Sequence, residues 1–277
     1  MVKLADGAYV DLDGIRTFYL KLGSGEPVLL IHGAAPGASS LVAWKLNLEP
    51  LAAAGFTVYA YDQPGFGYTD NPQDHSLEYR VAHAKAFLEA MRLERFHLVG
   101  NSVGGYIAAR LALEDPRTGR FVTTTSGTLA PPGSPESQAL GKQHGQDLAA
   151  YTPSLENMRE MTSHTIYNQA LVTDELVRER YEMSTGKNYD AQQKRREAAG
   201  ARPILDQLPS MRAKKSLLLW GNNDAGVTVE RGLLLFQLIP SCEFHLFDKC
   251  GHWVMWDHAE RFNTLVADFL RDAARDR

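Results

Sequence analysis

Cysteine is scarce in this 277-residue chain, which holds only Cys242 and Cys250. Two such residues build no disulfide framework and offer no metal-ligand spacing, so both read as core residues and no metal is expected. Long uncharged apolar runs are also missing, because no segment approaches the roughly eighteen residues that a membrane span requires. The opening stretch MVKLADGAYVDLDG carries neither an apolar signal core nor an amphipathic transit pattern. A soluble cytoplasmic protein without membrane association is the expectation. Basic residues are not in excess either: 29 Lys and Arg against 33 Asp and Glu leave a formal net charge of −4, with the two signs interspersed. With no basic stripe to neutralise phosphates, nucleic acid is not expected as a partner. Internal repeats and low-complexity tracts are absent as well, so the fold must be read from its elements one by one.

Those elements alternate. Short runs rich in β-branched residues predict strands over 15–20, 28–31, 57–61, 96–99, 121–125, 216–220 and 243–247. Helical periodicity fills 41–54, 77–91, 104–114, 229–238 and 259–271. The pattern is that of a mostly parallel sheet with helices on both faces, and the length is ample for one such domain. It breaks once. After the Pro-, Gly- and Ser-rich stretch SGTLAPPGSPESQ, strand-like runs vanish until Ser216 and the composition turns polar and helix-compatible. The chain is therefore divided into a core of residues 1–133 and 213–277 and a helical lid of residues 134–212 over the carboxyl edge of the sheet. Within the lid, the charged run KNYDAQQKRREAAG is expected to be a solvated helix face.

The strongest chemical signal is Gly100-Asn101-Ser102-Val103-Gly104-Gly105, between the apolar run FHLVG and the helix-like YIAARLALE. Strand, G-x-S-x-G and helix together make a nucleophile elbow, whose small residues permit the sharp turn that lifts a serine hydroxyl to the sheet edge. Without those flanks, the same string would be an incidental Gly-rich connection. Serine needs a base to take its proton, and the base needs a partner to fix its tautomer. In LLLWGNNDAGV, Asp224 sits just beyond a strand end, and in FDKCGHWVMW, His252 follows the last strand. Alone, Asp224 reads as a turn carboxylate and His252 as a core or capping histidine. In the chain order Ser, Asp, His and at three strand ends, they read as the triad of an α/β-hydrolase fold. The oxyanion donors are expected to be the backbone N–H groups of Val103, at the elbow, and Ala34, in the loop of VLLIHGAAPGASS. His32 and Asp62 lie in turns that shape the site and receive structural roles, as does every histidine except His252.

Together these motifs resemble the meta-cleavage-product hydrolases, serine α/β-hydrolases that split a carbon–carbon bond in ring-opened aromatic catabolites. The resemblance runs over nearly the whole chain and rests on IHGAAPGAS, DQPGFGYTD, VGNSVGG, WGNNDAGV and CGHWVMWDH. It implies that Arg180, in VTDELVRERYE, binds the substrate carboxylate, a role that periodicity alone would not assign to an arginine on a charged helix face. It implies also that Asn101 and Trp253 line the substrate site and that the protein is a homodimer or higher homo-oligomer. The loop HGAAPGA departs from the family's glycine- or serine-richer version, and Ala43 stands where many relatives carry a carboxylate-binding asparagine.

The expected activity is hydrolysis of a 2-hydroxy-6-oxohexa-2,4-dienoate-type product, an acidic small molecule, with no cofactor. Ala43 keeps open an alternative, a carboxylesterase or lactonase with the same triad. A non-catalytic ligand-binding protein on this fold is a third reading, which measurable turnover would exclude. Dehalogenase and epoxide hydrolase chemistry would need a carboxylate at position 102.

Overall fold

The computed structural model describes residues 2–272. The alternation seen in the sequence becomes one eight-stranded sheet: β1 (Ala8–Leu12), β2 (Ile15–Leu22), β3 (Glu26–Ile31), β4 (Phe56–Tyr61), β5 (Phe96–Asn101), β6 (Thr118–Thr124), β7 (Ser216–Gly221) and β8 (Cys242–Phe247). The order across the sheet is β1-β2-β4-β3-β5-β6-β7-β8. The β1/β2 and β2/β4 pairs are antiparallel and the others are parallel. Every residue of β4, β5 and β7 is buried, as expected of strands covered on both faces. Successive side chains alternate between two cores. Val28 and Leu30 of β3 join one with Trp44, Leu48 and Phe262, while Leu29 and Ile31 join the other with Phe87, Ile107 and Leu235.

Helices α3 (Leu77–Ala90), α4 (Val103–Glu114), α9 (Val229–Leu238) and α11 (Ala259–Arg271) supply much of the two covering layers, with a short α10 (Val254–Asp257) after the last strand. The segment expected as one helix over 41–54 is instead two, α1 (Ser40–Ala43) and α2 (Leu48–Ala53). Pro50 is the reason. In a continuous helix its ring would press on the carbonyl of Leu46, whereas the break places it in the first turn of α2, where no N–H is needed. Asn47 holds the break by donating from Nδ2 to the Met255 carbonyl and to Asn263 Oδ1. Strand β1 was not anticipated, because its residues are mostly exposed and its sequence, AYVDL, is short. It pairs with β2 through Asp13-Gly14, both at positive φ (53° and 81°), the tight Asp-Gly hairpin turn.

Four helices lie between β6 and β7: α5 (Pro135–Ala150), α6 (Leu155–Thr165), α7 (Asp174–Glu182) and α8 (Gly186–Glu197). The first three start at Ser134, Ser154 and Thr173, whose hydroxyls accept from the N–H three residues on. The charged run expected to be solvated forms α8, but one of its faces is not free. Ala191 and Gln192 are buried, and the Arg195 guanidinium stacks 3.8 Å from the Phe66 ring centre. Among the described residues, no helix is long and apolar enough to cross a membrane.

One tight approach between layers is where α4 crosses β3. A Cβ on Gly104 would lie 2.1 Å from the Ile31 carbonyl oxygen and 2.5 Å from that of His32, both backbone atoms. Gly104→Ala should therefore destabilise the fold by about 3 kcal/mol or more in urea titration. Gly145→Ala, where a Cβ meets nothing within 4 Å in α5, should instead be neutral or stabilising by up to about 1 kcal/mol.

Candidate active site

The site is built around one serine in an unusual conformation. Ser102 connects β5 directly to α4 with φ 56° and ψ −121°, a region that residues with side chains rarely occupy. Its neighbours must be bare for the turn to close. A Cβ on Gly100 would lie 2.3 Å from the Gly104 carbonyl oxygen, and one on Gly105 would lie 2.1 Å from Thr123 Oγ1. The Ser102 carbonyl accepts from the Gly105 N–H at 2.9 Å and from Ser126 Oγ at 2.6 Å. Val103 opens α4, so its N–H belongs to the first-turn amides that have no acceptor within the helix.

Asp224 and His252 meet beyond the ends of β7 and β8. His252 Nδ1 lies 2.6 Å from Asp224 Oδ2, while Asp224 Oδ1 accepts from the N–H groups of Gly226 at 2.8 Å and Val227 at 2.9 Å. The carboxylate side chain is 2 % exposed and the imidazole 13 %. Burial alone would raise the Asp224 pKa, but the His252 charge and hydrogen bond and the two amides together hold it below the ordinary value. An ionised Asp224 makes Nδ1 the donor and leaves Nε2 as the basic nitrogen. Ser102, Val103 and His252 all line one cavity of about 460 Å³.

The loop after β3 passes against the serine, since a Cβ on Gly33 would lie 3.2 Å from Ser102 Cβ. His32 holds this loop. Its Nδ1 donates to the Gly33 carbonyl at 2.6 Å and its Nε2 accepts from the Gln63 N–H at 3.1 Å. Burial drives its pKa down to about 3, so the ring stays neutral. Asp62 organises the next turn by accepting from the N–H groups of Ser40 at 2.6 Å and Tyr68 at 2.8 Å, with burial raising its pKa to about 6. Ala34 lines a second cavity of about 210 Å³, which shares Gly145 and Leu148 with the first.

Asn101, Arg180 and Trp253 are buried and do not line the Ser102 cavity. Asn101 Nδ2 donates to Thr124 Oγ1 at 2.8 Å. Arg180 is fully enclosed. It donates from Nη1 to Thr162 Oγ1 at 2.9 Å and from Nη2 to the Pro36 carbonyl at 3.2 Å, stacks 4.8 Å from the Trp253 ring centre, and leaves its buried Nε without a partner. Among the described residues no carboxylate pairs with it, and burial lowers its pKa to about 10.

The sequence offered no reading of what α5 contributes to the cavity. Gln138, Gly141, His144, Gly145 and Leu148 line it from α5. The His144 ring centre lies 6.2 Å from that of His252, and burial, then His252, lowers the His144 pKa. The spacing 141, 144, 145, 148 marks one helical face, and that was the available signal. Arg231 of α9 also lines the cavity. Among the described residues there is no group of three side chains arranged to hold a metal ion.

The sequence pattern of the alpha/beta hydrolase fold family matches residues 26–259. A 2-hydroxy-6-oxononadienedioate/2-hydroxy-6-oxononatrienedioate hydrolase from Dechloromonas aromatica is 32% identical over 97% of this chain and 94% of its own length. A 2-hydroxy-6-oxo-6-phenylhexa-2,4-dienoate hydrolase from Burkholderia cepacia is 33% identical over 93% of each chain. The solved meta-cleavage product hydrolase CumD from Pseudomonas fluorescens superposes with a TM-score of 0.86 at 31% identity, covering 98% of this chain and all of that one.

The Asp224–His252 contact makes two linked predictions. Asp224→Asn should lower turnover of an activated aryl ester by about three to four orders of magnitude, because the amide no longer fixes the donor at Nδ1. The folded pKa of Asp224 lies below the unfolded value of 3.8. Its stabilisation is therefore complete above that value and is lost as the pH falls through the lower folded pKa. Urea titrations across the acid range should show the variant losing stability less steeply than the wild type below about pH 4.

Proposed function

This chain belongs to the alpha/beta hydrolase fold family, among the meta-cleavage product hydrolases, and from that premise we propose that it hydrolyses a carbon–carbon bond in a ring-fission product of aromatic catabolism. The substrates in the relatives' names share a 2-hydroxy-6-oxodienoate head and differ in the acyl tail. The head is what carries over. The observation that bears the reading is the single cavity lined by both Ser102 and His252, with His252 tied at 2.6 Å to a buried Asp224.

The chemistry sets an order of events. A bare vinyl carbanion is too poor a leaving group, so the dienol first becomes its keto tautomer by moving the 2-hydroxyl proton to C5. His252 assists this transfer and then takes the Ser102 proton as Oγ attacks the C6 ketone. Negative charge develops on the ketone oxygen, to which the N–H groups of Val103 and Ala34 are the donors. The C5–C6 bond breaks toward an enolate, which is protonated to 2-hydroxypenta-2,4-dienoate. Water activated by His252 then hydrolyses the acyl-serine to the second carboxylic acid, and the enzyme is regenerated.

Arg180 holds the head carboxylate in this reading. A fully buried guanidinium with a carbonyl, a hydroxyl and an aromatic face for company lacks the counter-charge that would offset its desolvation. A substrate carboxylate supplies it, as a charge-assisted contact stronger than a neutral hydrogen bond. Asn101 and Trp253 flank the same head, and residues 134–212 act as the lid over it. The reading extends to a cytoplasmic homo-oligomer acting on a small acidic substrate.

Two measurements test it. Ser102→Ala should bind a yellow ring-fission product and perturb its absorption while losing several orders of magnitude in turnover, and a phosphonate probe should label Ser102 in the wild type. Labelling elsewhere with an active Ser102→Ala would remove the serine from its role. Arg180→Gln should raise KM for a dienoate by about tenfold or more and affect a neutral aryl ester much less. Brisk aryl-ester turnover with inert dienoates would favour an esterase.

A further inference from the structure

We infer that Arg231 forms a carboxylate subsite for the acyl tail within the Ser102 cavity, so that the preferred substrate is a dioic acid with its second carboxylate beyond the scissile ketone. The inference rests on the carbon–carbon hydrolase reading and deepens it.

Arg231 stands in the first turn of α9, and its guanidinium is held in one plane by the segment that follows β6. Nε donates to the Pro131 carbonyl at 2.7 Å, and Nη2 donates to the carbonyls of Gly127 at 2.6 Å and Ala130 at 3.2 Å. Those bonds use three of its five N–H groups or share them. The remaining nitrogen, Nη1, has no hydrogen-bond acceptor among the described residues. It lies beside two bare positions, since a Cβ on Gly127 or on Gly141 would be 3.4 Å from Nη1. Both glycines line the cavity with Ser102 and His252. The fixed guanidinium therefore keeps its Nη1 edge beside two cavity-lining positions that carry no side chain.

The charge is also unspent. The carboxylates whose charge acts on Arg231 are Asp224 and Glu230, and neither hydrogen-bonds to its guanidinium among the described residues. Asp224 is committed to His252 and two backbone amides, and Glu230 accepts from the Ser134 N–H and hydroxyl and from the Ser137 hydroxyl. No aspartate or glutamate is among the described lining residues of the cavity, while Gln138 and His144 add further polar groups from α5. A phenyl tail would be matched by aromatic walls. Here no phenylalanine, tyrosine or tryptophan is among the described lining residues of the cavity. Glycines, a guanidinium and two polar side chains suit a carboxylate, which a planar guanidinium recognises by charge and geometry together. Arg180, outside this cavity, remains for the head, so two carboxylates meet two separate arginines.

The test compares 2-hydroxy-6-oxonona-2,4-dienedioate with the monoacid of equal chain length, 2-hydroxy-6-oxonona-2,4-dienoate, by loss of dienoate absorbance. The wild type should favour the dioate in kcat/KM by about tenfold or more. Arg231→Gln should cut that preference by about tenfold to a hundredfold, chiefly through KM, and Arg231→Lys should keep part of it. Because Arg231 also ties three carbonyls, the ratio of the two substrates is the readout, which a loss of structure would not move. Equal losses on both substrates, or a wild type indifferent to the tail charge, overturn the subsite alone. Dienoates that are both inert while aryl esters turn over overturn the carbon–carbon reading, and the tail subsite falls with it.

Discussion

The backbone at Ser102 is the constraint on which the rest of the site depends. A serine at φ 56° stores strain of about 1–3 kcal/mol, and it persists only because the packing around it permits nothing else. Gly100, Gly104 and Gly105 have no space for a side chain, because α4 lies directly on β3, β6 and its own first turn. The same close approach brings the loop after β3 against the Ser102 side chain and leaves the first amides of α4 without helical acceptors. The Ser102 turn and the free first-turn amide of Val103 thus lie at one packing contact. The parallel strands then bring the other members to the same edge, because loops leaving the carboxyl ends of β7 and β8 emerge beside the elbow.

How much of this could be read in the sequence follows from how local each cause is. The elbow is spelled by six consecutive residues, and Asp224 and His252 each follow a short apolar strand, so the chain itself announces them. The Asp-Gly of the first hairpin was equally local, yet β1 was passed over because its exposed, mixed residues carry no strong alternation. Pro50 was visible too, and its effect on 41–54 is a rule of backbone geometry that the apolar periodicity obscured. Other features had no local signature. Arg180 meets Pro36, Thr162 and Trp253, which come from the loop after β3, from α6 and from the loop after β8. Periodicity placed it on a charged face, and only the resemblance suggested a ligand. Arg231 lies in the periodic helix over 229–238, and nothing local marks the three carbonyls from 127–131 that surround its guanidinium.

Cations without carboxylate partners recur where the four helices between β6 and β7 meet the core. Arg180 stacks on Trp253, and Arg195 stacks on Phe66 while donating to the Gly65 carbonyl at 2.8 Å. Carbonyls and aromatic faces compensate a guanidinium only partly, and burial accordingly lowers the pKa of Arg180 to about 10 and of Arg195 to about 9. Both remain charged at neutral pH. Such an interface gains little from its own ion pairs, and the exposed contacts of Lys45 with Glu175 and Glu179 add only modestly. The burial of these two guanidinium groups is thus a cost that only carbonyls and ring faces offset among the described residues.

The position of His252 is set by α6 as much as by the sheet. Its backbone N–H donates to the Thr165 carbonyl at the end of α6 at 2.8 Å. Asp257 accepts from Gly251 N–H at 2.8 Å and from the N–H groups of Tyr167 at 3.0 Å and Asn168 at 2.9 Å, which joins the loop after α6 to the loop that carries the histidine. Gly251 is bare because a Cβ there would lie 2.6 Å from the same Thr165 carbonyl. The end of α6 thus cannot withdraw without releasing His252 from the geometry that Asp224 enforces. Helix α5 also reaches the loops that carry Asp224 and His252: Ser137 Oγ lies 2.7 Å from Thr228 Oγ1, and the His144 ring centre stands 6.2 Å from that of His252. The cavity wall formed by α5 and Arg231 and the ties made by α6 and Asp257 thus bear on the same Asp224–His252 pair, so a change in the lining is felt at the histidine.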